Sequence, residues 1–203
     1  FLDVIHGTQK FVTSSFTTAG SACANLGVGP VMVDNVVGVI KAYITRVGEG
    51  PMPTELKDDL GLRMREKGGE YGTTTGRARR CGWFDAVLGL KSVYLNGYTE
   101  LALTKLDVLS GIDPIKICIG YDLDGETLGY PPEATEDLAR CQPIYEDMPG
   151  WTEDITEIKD YDDLPANARA YVERLEDLLG VGISAVSVGP GREQTIYLDE
   201  PED

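Results

Sequence analysis

Apolar residues recur along this chain in two rhythms. The longest regular stripe lies over 165–179, where Ala168, Tyr171, Val172, Leu175, Leu178 and Leu179 return every three or four positions. That period puts them on one face of a helix, with Pro165 suited to the first turn and Gly180 to the exit. The same rhythm over 34–46, carried by Val36, Val37, Val39, Ile40, Tyr43 and Ile44, predicts a second helix capped by Asp34. Another is expected after Thr54 as N-cap, with Leu56, Leu60 and Met64 on one side and Gly68-Gly69 as the stop. A fourth covers 84–95 and ends at Asn96-Gly97.

Shorter, unbroken apolar runs read as buried strands at 101–104, 115–119 and 183–187, with one more over 195–198. Asp124-Gly125 marks a hairpin between Tyr121 and Leu128. Helices alternating with such strands predict an α/β fold: a layered, mostly parallel sheet with flanking helices. With 203 residues, 42% of them hydrophobic, the chain can bury a sizeable core. No repeat or linker divides it, so residues 1–203 read as parts of one domain.

Charge narrows the partners. The 34 acidic residues against 18 basic ones leave a net charge of -16, which disfavours nucleic acid and anionic membrane surfaces. No apolar stretch has the length of a membrane span and no basic-then-apolar leader opens the chain, so a soluble, cytoplasmic protein is expected. Cys23, Cys81, Cys118 and Cys141 are far apart and His6 is the single histidine, which speaks against a metal site and for four free thiols. The opening Phe1-Leu2-Asp3-Val4-Ile5 reads as the interior of a longer protein, so a fragment is expected.

Against this acidic background, the run from Gly72 through Thr73, Thr74, Thr75, Gly76, Arg77, Ala78, Arg79 and Arg80 to Cys81-Gly82-Trp83 stands out. Arginine forks match carboxylate and phosphate oxygens, and Gly72 and Gly76 let main-chain amides approach a ligand. Arg77, Arg79 and Arg80 repel one another, so a bound anion is expected to hold them together. Thr104-Lys105-Leu106-Asp107 follows a predicted strand, where open α/β sheets carry ligand loops. A carboxylate there can accept from the N1 hydrogen and 2-amino group of guanine, with the lysine stem along the base. Ser187-Val188-Gly189-Pro190 also follows a strand and can form a second wall, although each tetrapeptide alone suits an ordinary turn. The loops after residues 71, 103 and 186 thus all end strands and carry ligand-compatible groups. Val12-Thr13-Ser14-Ser15-Phe16-Thr17-Thr18-Ala19-Gly20 gathers hydroxyls before a helix-like stretch, which suits either phosphate or plain capping. His6 has no identifiable partner and reads as structural; the acidic tail 199–203 reads as a solvated end.

Several of these segments, taken in order, resemble adenylosuccinate synthetase, specifically its C-terminal part. They are Val12-Thr13-Ser14-Ser15, Thr45-Arg46-Val47-Gly48-Glu49-Gly50-Pro51, residues 72–83 and 103–109, Pro143-Ile144-Tyr145-Glu146 and Met148-Pro149-Gly150-Trp151. The resemblance implies a ligase of purine biosynthesis in which GTP phosphorylates the 6-oxygen of IMP and L-aspartate displaces the phosphate. It places Thr13, Val47 and Arg77 at IMP and Thr73, Thr74, Thr75, Gly76, Arg77 and Arg79 at aspartate. Arg79, Lys105, Leu106, Asp107, Ser187, Gly189 and Pro190 would meet GTP.

Ala78 stands where many relatives carry arginine, and Ser21 where glycine is usual. The family's Gly-rich phosphate loop, catalytic aspartate and catalytic histidine precede the segment matched, and nothing here fits GxxxxGK[ST]. No catalytic or metal-ligating residue is therefore assigned. Mg2+ ligands are expected outside the chain, which alone should be inactive, and a homodimer is implied. A non-catalytic guanine or purine nucleotide-binding module is the alternative. Replacing Arg77 or Arg79 should weaken IMP or aspartate binding and leave stability nearly intact.

Overall fold

The computed structural model describes residues 3–8, 10–74 and 76–198. Thr75, the acidic tail at 199–203 and the opening Phe1 and Leu2 lie outside the described residues. The first half runs α1 (Gly20–Leu26), β1 (Val37–Lys41), β2 (Ile44–Arg46), α2 (Asp59–Lys67), β3 (Arg80–Gly82), β4 (Phe84–Asp85) and α3 (Ala86–Asn96). Then come β5 (Glu100–Thr104), a 3-10 turn (Leu106–Leu109), β6 (Ile115–Leu123), β7 (Glu126–Leu128) and α4 (Thr135–Arg140). β8 (Gln142–Met148), α5 (Ala166–Leu179), β9 (Ile183–Ser187) and β10 (Thr195–Tyr197) complete it.

The main sheet has the order β1-β5-β9-β10. β5 runs parallel to β1 and β9, with Ala102 opposite Val39 and Leu103 opposite Val186, and β10 returns antiparallel. Parallel neighbours need a long crossover, and the chain makes them through helices. A second sheet surrounds β6, parallel to β4 and antiparallel to β7 and β8, while β2 and β3 form a separate ribbon. The α/β layering and the mostly parallel main sheet are as expected.

Alternation, reset in β9 by an irregularity in its register with β5, sends Leu101, Leu103, Ile183 and Val186 to one side of the main sheet, where they share a buried cluster with the stripe of α5. Tyr171 carries that stripe's one polar group, and its hydroxyl donates to the Ala42 carbonyl at 2.6 Å. Two of the quoted family segments serve this packing. Glu146 accepts two bonds of 2.8 Å from Arg174, and Trp151 is buried with its ring nitrogen donating to Ser110 Oγ at 2.9 Å. Gly150 lies so close to the Ile112 carbonyl that a Cβ would collide with it.

The helix expected over 34–46 does not form; β1 and β2 lie there instead. Val36, Val37, Val39, Ile40 and Ile44 are all β-branched, and so short an apolar run suits a strand as well as a helix. Gly38 shows why the extended form wins. A Cβ at that point would come within 2.7 Å of Leu101 and 2.9 Å of Tyr98, so the bare backbone seats β1 against its neighbour. The helix expected after Thr54 begins later, because Asp58 is the N-cap and accepts from the Gly61 amide at 3.1 Å. Thr54 is buried in the preceding turn. α3 starts two residues after Phe84 and ends at Asn96, with Gly97 left-handed as foreseen.

Asp85 caps α3 through the Leu88 amide (3.0 Å) and accepts from the Tyr121 hydroxyl (2.6 Å). Burial raises its pKa to about 6, outweighing these bonds, which favour the charge. The folded chain therefore holds this proton at pH values where the unfolded chain has released it. Stability from this group falls as pH rises from about 4 to about 6. Asp85→Asn is expected to remove that decline and to gain on the order of 2 kcal/mol relative to the parent at pH 7. Urea titrations of both proteins between pH 4 and 7 check this; parallel pH profiles would refute it.

Candidate functional site

The arginine loop is a hairpin-like excursion rather than a strand-end loop. An isolated bridge pairs Tyr71 with Ala78, the Gly72 amide donates to the Arg77 carbonyl (2.8 Å), and Gly76 is left-handed with φ 63°. Thr73, Thr74, Gly76 and Arg77 are exposed on it, so donors face outward as a ligand loop requires.

Its base is fixed by Glu70, whose side chain is fully buried. The carboxylate accepts from Lys41 Nζ (2.8 and 2.9 Å), the Tyr43 hydroxyl (2.7 Å) and Arg79 Nη1 (2.7 Å). Burial opposes the charge, but the bonds from Lys41, Arg79 and Tyr43 prevail and hold the carboxyl below its ordinary range. Arg65 Nε also holds the Arg79 carbonyl at 2.8 Å. Arg80 belongs to β3, where Glu55 takes both arms of its fork at 2.7 and 2.6 Å. Mutual repulsion of the three arginines thus needs no bound anion: Arg79 and Arg80 are each neutralised within the protein.

Arg46 organises the positions expected at IMP. This buried guanidinium donates to the Glu49, Pro51 and Phe11 carbonyls at 2.9, 3.4 and 3.0 Å. It thereby draws the irregular stretch at residue 11, two positions before Thr13, against the turn carrying Val47. The Arg77 guanidinium lies beside Gly48 of that turn, about 4 Å from where a Cβ would stand. Val47 and Arg77 meet at this one turn, Val47 exposed; Thr13, partly buried, follows the Phe11 carbonyl that Arg46 holds. The helix-like stretch after them is α1, a helix of seven residues beginning at Gly20.

The two other loops meet because β5 and β9 are parallel neighbours and their C-terminal ends lie side by side. Lys105 takes a left-handed conformation (φ 66°), and its Nζ donates to the Gly68 carbonyl at 2.5 Å, joining this region to the foot of the arginine loop. Asp107 is half-buried, and burial raises its pKa, partly offset by Lys67 and Lys105. Leu106 is wholly buried in the core, so only its backbone can face a ligand. Ser187 Oγ donates to the Gly189 carbonyl (2.8 Å); Gly189 packs tightly on Gln194, and Pro190 is exposed.

Sequence reasoning missed Glu70, Lys41, Tyr43, Glu55 and the structural part of Arg46. A signal existed for one of them, since Glu70 is the acid next to an arginine-rich loop. Among the described residues no three His, Cys, Asp or Glu side chains converge on a point where they could hold a metal ion. The described residues offer no ligand set for Mg2+. No helix among the described residues is long and apolar enough to cross a membrane.

The adenylosuccinate synthetase family model matches residues 1–196. Adenylosuccinate synthetase of Methanothrix thermoacetophila is 78% identical over 98% of this chain and 47% of its own length. That of Methanosarcina barkeri is 67% identical over 96% and 46%. The structure of fully ligated adenylosuccinate synthetase from Plasmodium falciparum superposes with a TM-score of 0.95 at 44% identity, over 98% of this chain and 48% of that one. The chain spans about half the length of the curated relatives it matches. Its motifs, its fold and these likenesses agree that the chain belongs to the adenylosuccinate synthetase family.

Proposed function

We propose that this chain works within a GTP-dependent carbon–nitrogen ligase that joins IMP and L-aspartate into adenylosuccinate. Residues 1–203 are read as part of a single synthetase domain acting in the cytoplasm as a homodimer. The γ-phosphoryl group of GTP passes to the 6-oxygen of IMP and leaves GDP. The aspartate amine then forms a bond to C6, and inorganic phosphate departs.

This chain's share of that reaction is positioning. Aspartate brings two carboxylates, and Arg77 with the hydroxyls and amides of residues 73–76 supplies donors that hold them while the amine stays free. Thr13 and Val47 face IMP, Lys105 and Asp107 with Ser187, Gly189 and Pro190 surround guanine, and Arg79 lies between the two nucleotides. The observation that carries the reading is the exposed donor loop standing on Glu70, with Arg77 leaning over the turn that Arg46 ties to residue 11.

The test replaces the matched 199 residues of the Methanothrix thermoacetophila relative with this chain to give a full-length chimera. The chimera should form adenylosuccinate, and the 203-residue chain alone should not. Arg77→Leu in the chimera is expected to raise KM for aspartate or IMP by about 10- to 100-fold, with an unchanged melting temperature. Arg79→Leu should do likewise but also lose roughly 1–2 kcal/mol of stability, because Glu70 then loses one charged donor. Unchanged kinetics in both variants would sink the assignment of this loop.

A further inference from the structure

The turn between β9 and β10 is built around one side chain, Gln194. The hairpin closes without that side chain: Thr195 stands opposite Ser187, and the Val188 amide donates to the Gln194 carbonyl at 2.8 Å. What the loop beyond this pair lacks is bulk of its own to set its shape, and the Gln194 amide supplies it. Its Oε1 accepts from the Gly191 amide at 2.8 Å, and its Nε2 donates to the Thr156 carbonyl at 2.9 Å. A side-chain amide carries an acceptor and a donor together, which matches a main-chain N–H on one side and a C=O on the other. Gly189 is buried against the same amide, and a Cβ there would collide with it; at Gly191 a Cβ would stand 2.9 Å from Oε1. The far partner is firm. Ile155 is wholly buried in the core, and Asp154 holds the Thr156 amide at 3.0 Å.

We infer that Gln194 is a positioning residue for the guanine site: without touching the ligand, it sets where the Gly189 main chain and the Ser187 hydroxyl stand relative to Asp107. The inference rests on the guanine placement proposed above. Ser187 follows Gly189 because its Oγ donates to the Gly189 carbonyl. The opposite wall is fixed by other means, through Leu106 in the core and Lys105 on the Gly68 carbonyl. A base held between two walls needs both in place, and a displacement of about 1 Å in one is enough to weaken its bonds.

Steady-state kinetics of the full-length chimera test this. Gln194→Leu fills the space without hydrogen bonds; it should raise KM for GTP about 10-fold and leave kcat and the KM values for IMP and aspartate within about twofold. Gln194→Asn carries the same amide one methylene short and cannot span both partners. It should show the same rise, which decides the matter if the leucine variant folds poorly. Lys159→Ala removes another tie to this turn, the 2.7 Å bond to the Glu193 carbonyl, without touching Gly189, and should leave KM for GTP unchanged. An unchanged KM for GTP in either folded Gln194 variant overturns the inference. So does an equal rise in Lys159→Ala, or a rise in the KM values of all substrates together. Asp107→Asn, measured alongside, separates the two readings. If it leaves GTP affinity unchanged, the guanine placement falls and this inference with it; if it weakens GTP binding while the Gln194 variants do not, this inference alone has failed.

Discussion

Glu70→Ala is expected to lower the stability of the fold by about 3 kcal/mol, a large fraction of what a domain of this size has. The side chain is fully buried and ends three donor groups at once, two of them cationic. Removing the carboxylate leaves Lys41 and Arg79 without their counter-charge and the buried Tyr43 hydroxyl without an acceptor. Lys41 and Arg79 are 27% and 29% exposed, so water recovers part of the loss, which sets the figure at the lower end for a buried pair. The melting temperature should fall by roughly 6–12 °C. The sign of the pH dependence is opposite to that of Asp85. Because the folded pKa of Glu70 lies below its unfolded value, its stabilisation is complete above that unfolded value and fades as pH falls toward the folded one. A drop of less than 1 kcal/mol would show that the network contributes little more than a surface pair.

Asp107→Asn should weaken GTP binding in the full-length chimera by about 100-fold, corresponding to 2–3 kcal/mol for the loss of charge-assisted bonds to guanine. Asparagine presents one acceptor and one donor to a base edge that offers only donors. Stability should not suffer, because burial already works against the Asp107 charge in the free protein. The same circumstance gives a second signature. Guanine's two donors favour the ionised carboxylate, so affinity for GTP should rise with pH through the raised free-state pKa and lose that slope in the variant. Calorimetric titration at several pH values measures both. GTP affinity unchanged in Asp107→Asn would remove this residue from the guanine site.

The elements that could be read from the sequence are those with local punctuation. Pro165 and Gly180 bracket α5, Asn96-Gly97 ends α3, and Asp124-Gly125 turns β6 into β7, all as foreseen. What escaped depends on distant partners. The stretch 34–46 is extended because β5, some sixty residues later, offers it a ladder and Leu101 leaves room only for Gly38. Arg80 looked like an anion ligand because Glu55, which neutralises it, lies twenty-five residues away. Lys105, Asp107, Ser187 and Gly189 could be grouped in advance only by assuming adjacent parallel strands, and that adjacency is what the fold supplies.

Arg46 couples two distant stretches of the chain. One guanidinium bonded to three carbonyls makes the stretch near residue 11 and the turn at 49–51 a single mechanical piece. On the IMP placement proposed above, a phosphate at one margin of that piece and a sugar at the other would rest on one rigid unit. The Arg77 guanidinium lies against Gly48, between the Arg46-bound strand end and that turn, and so borders the same piece.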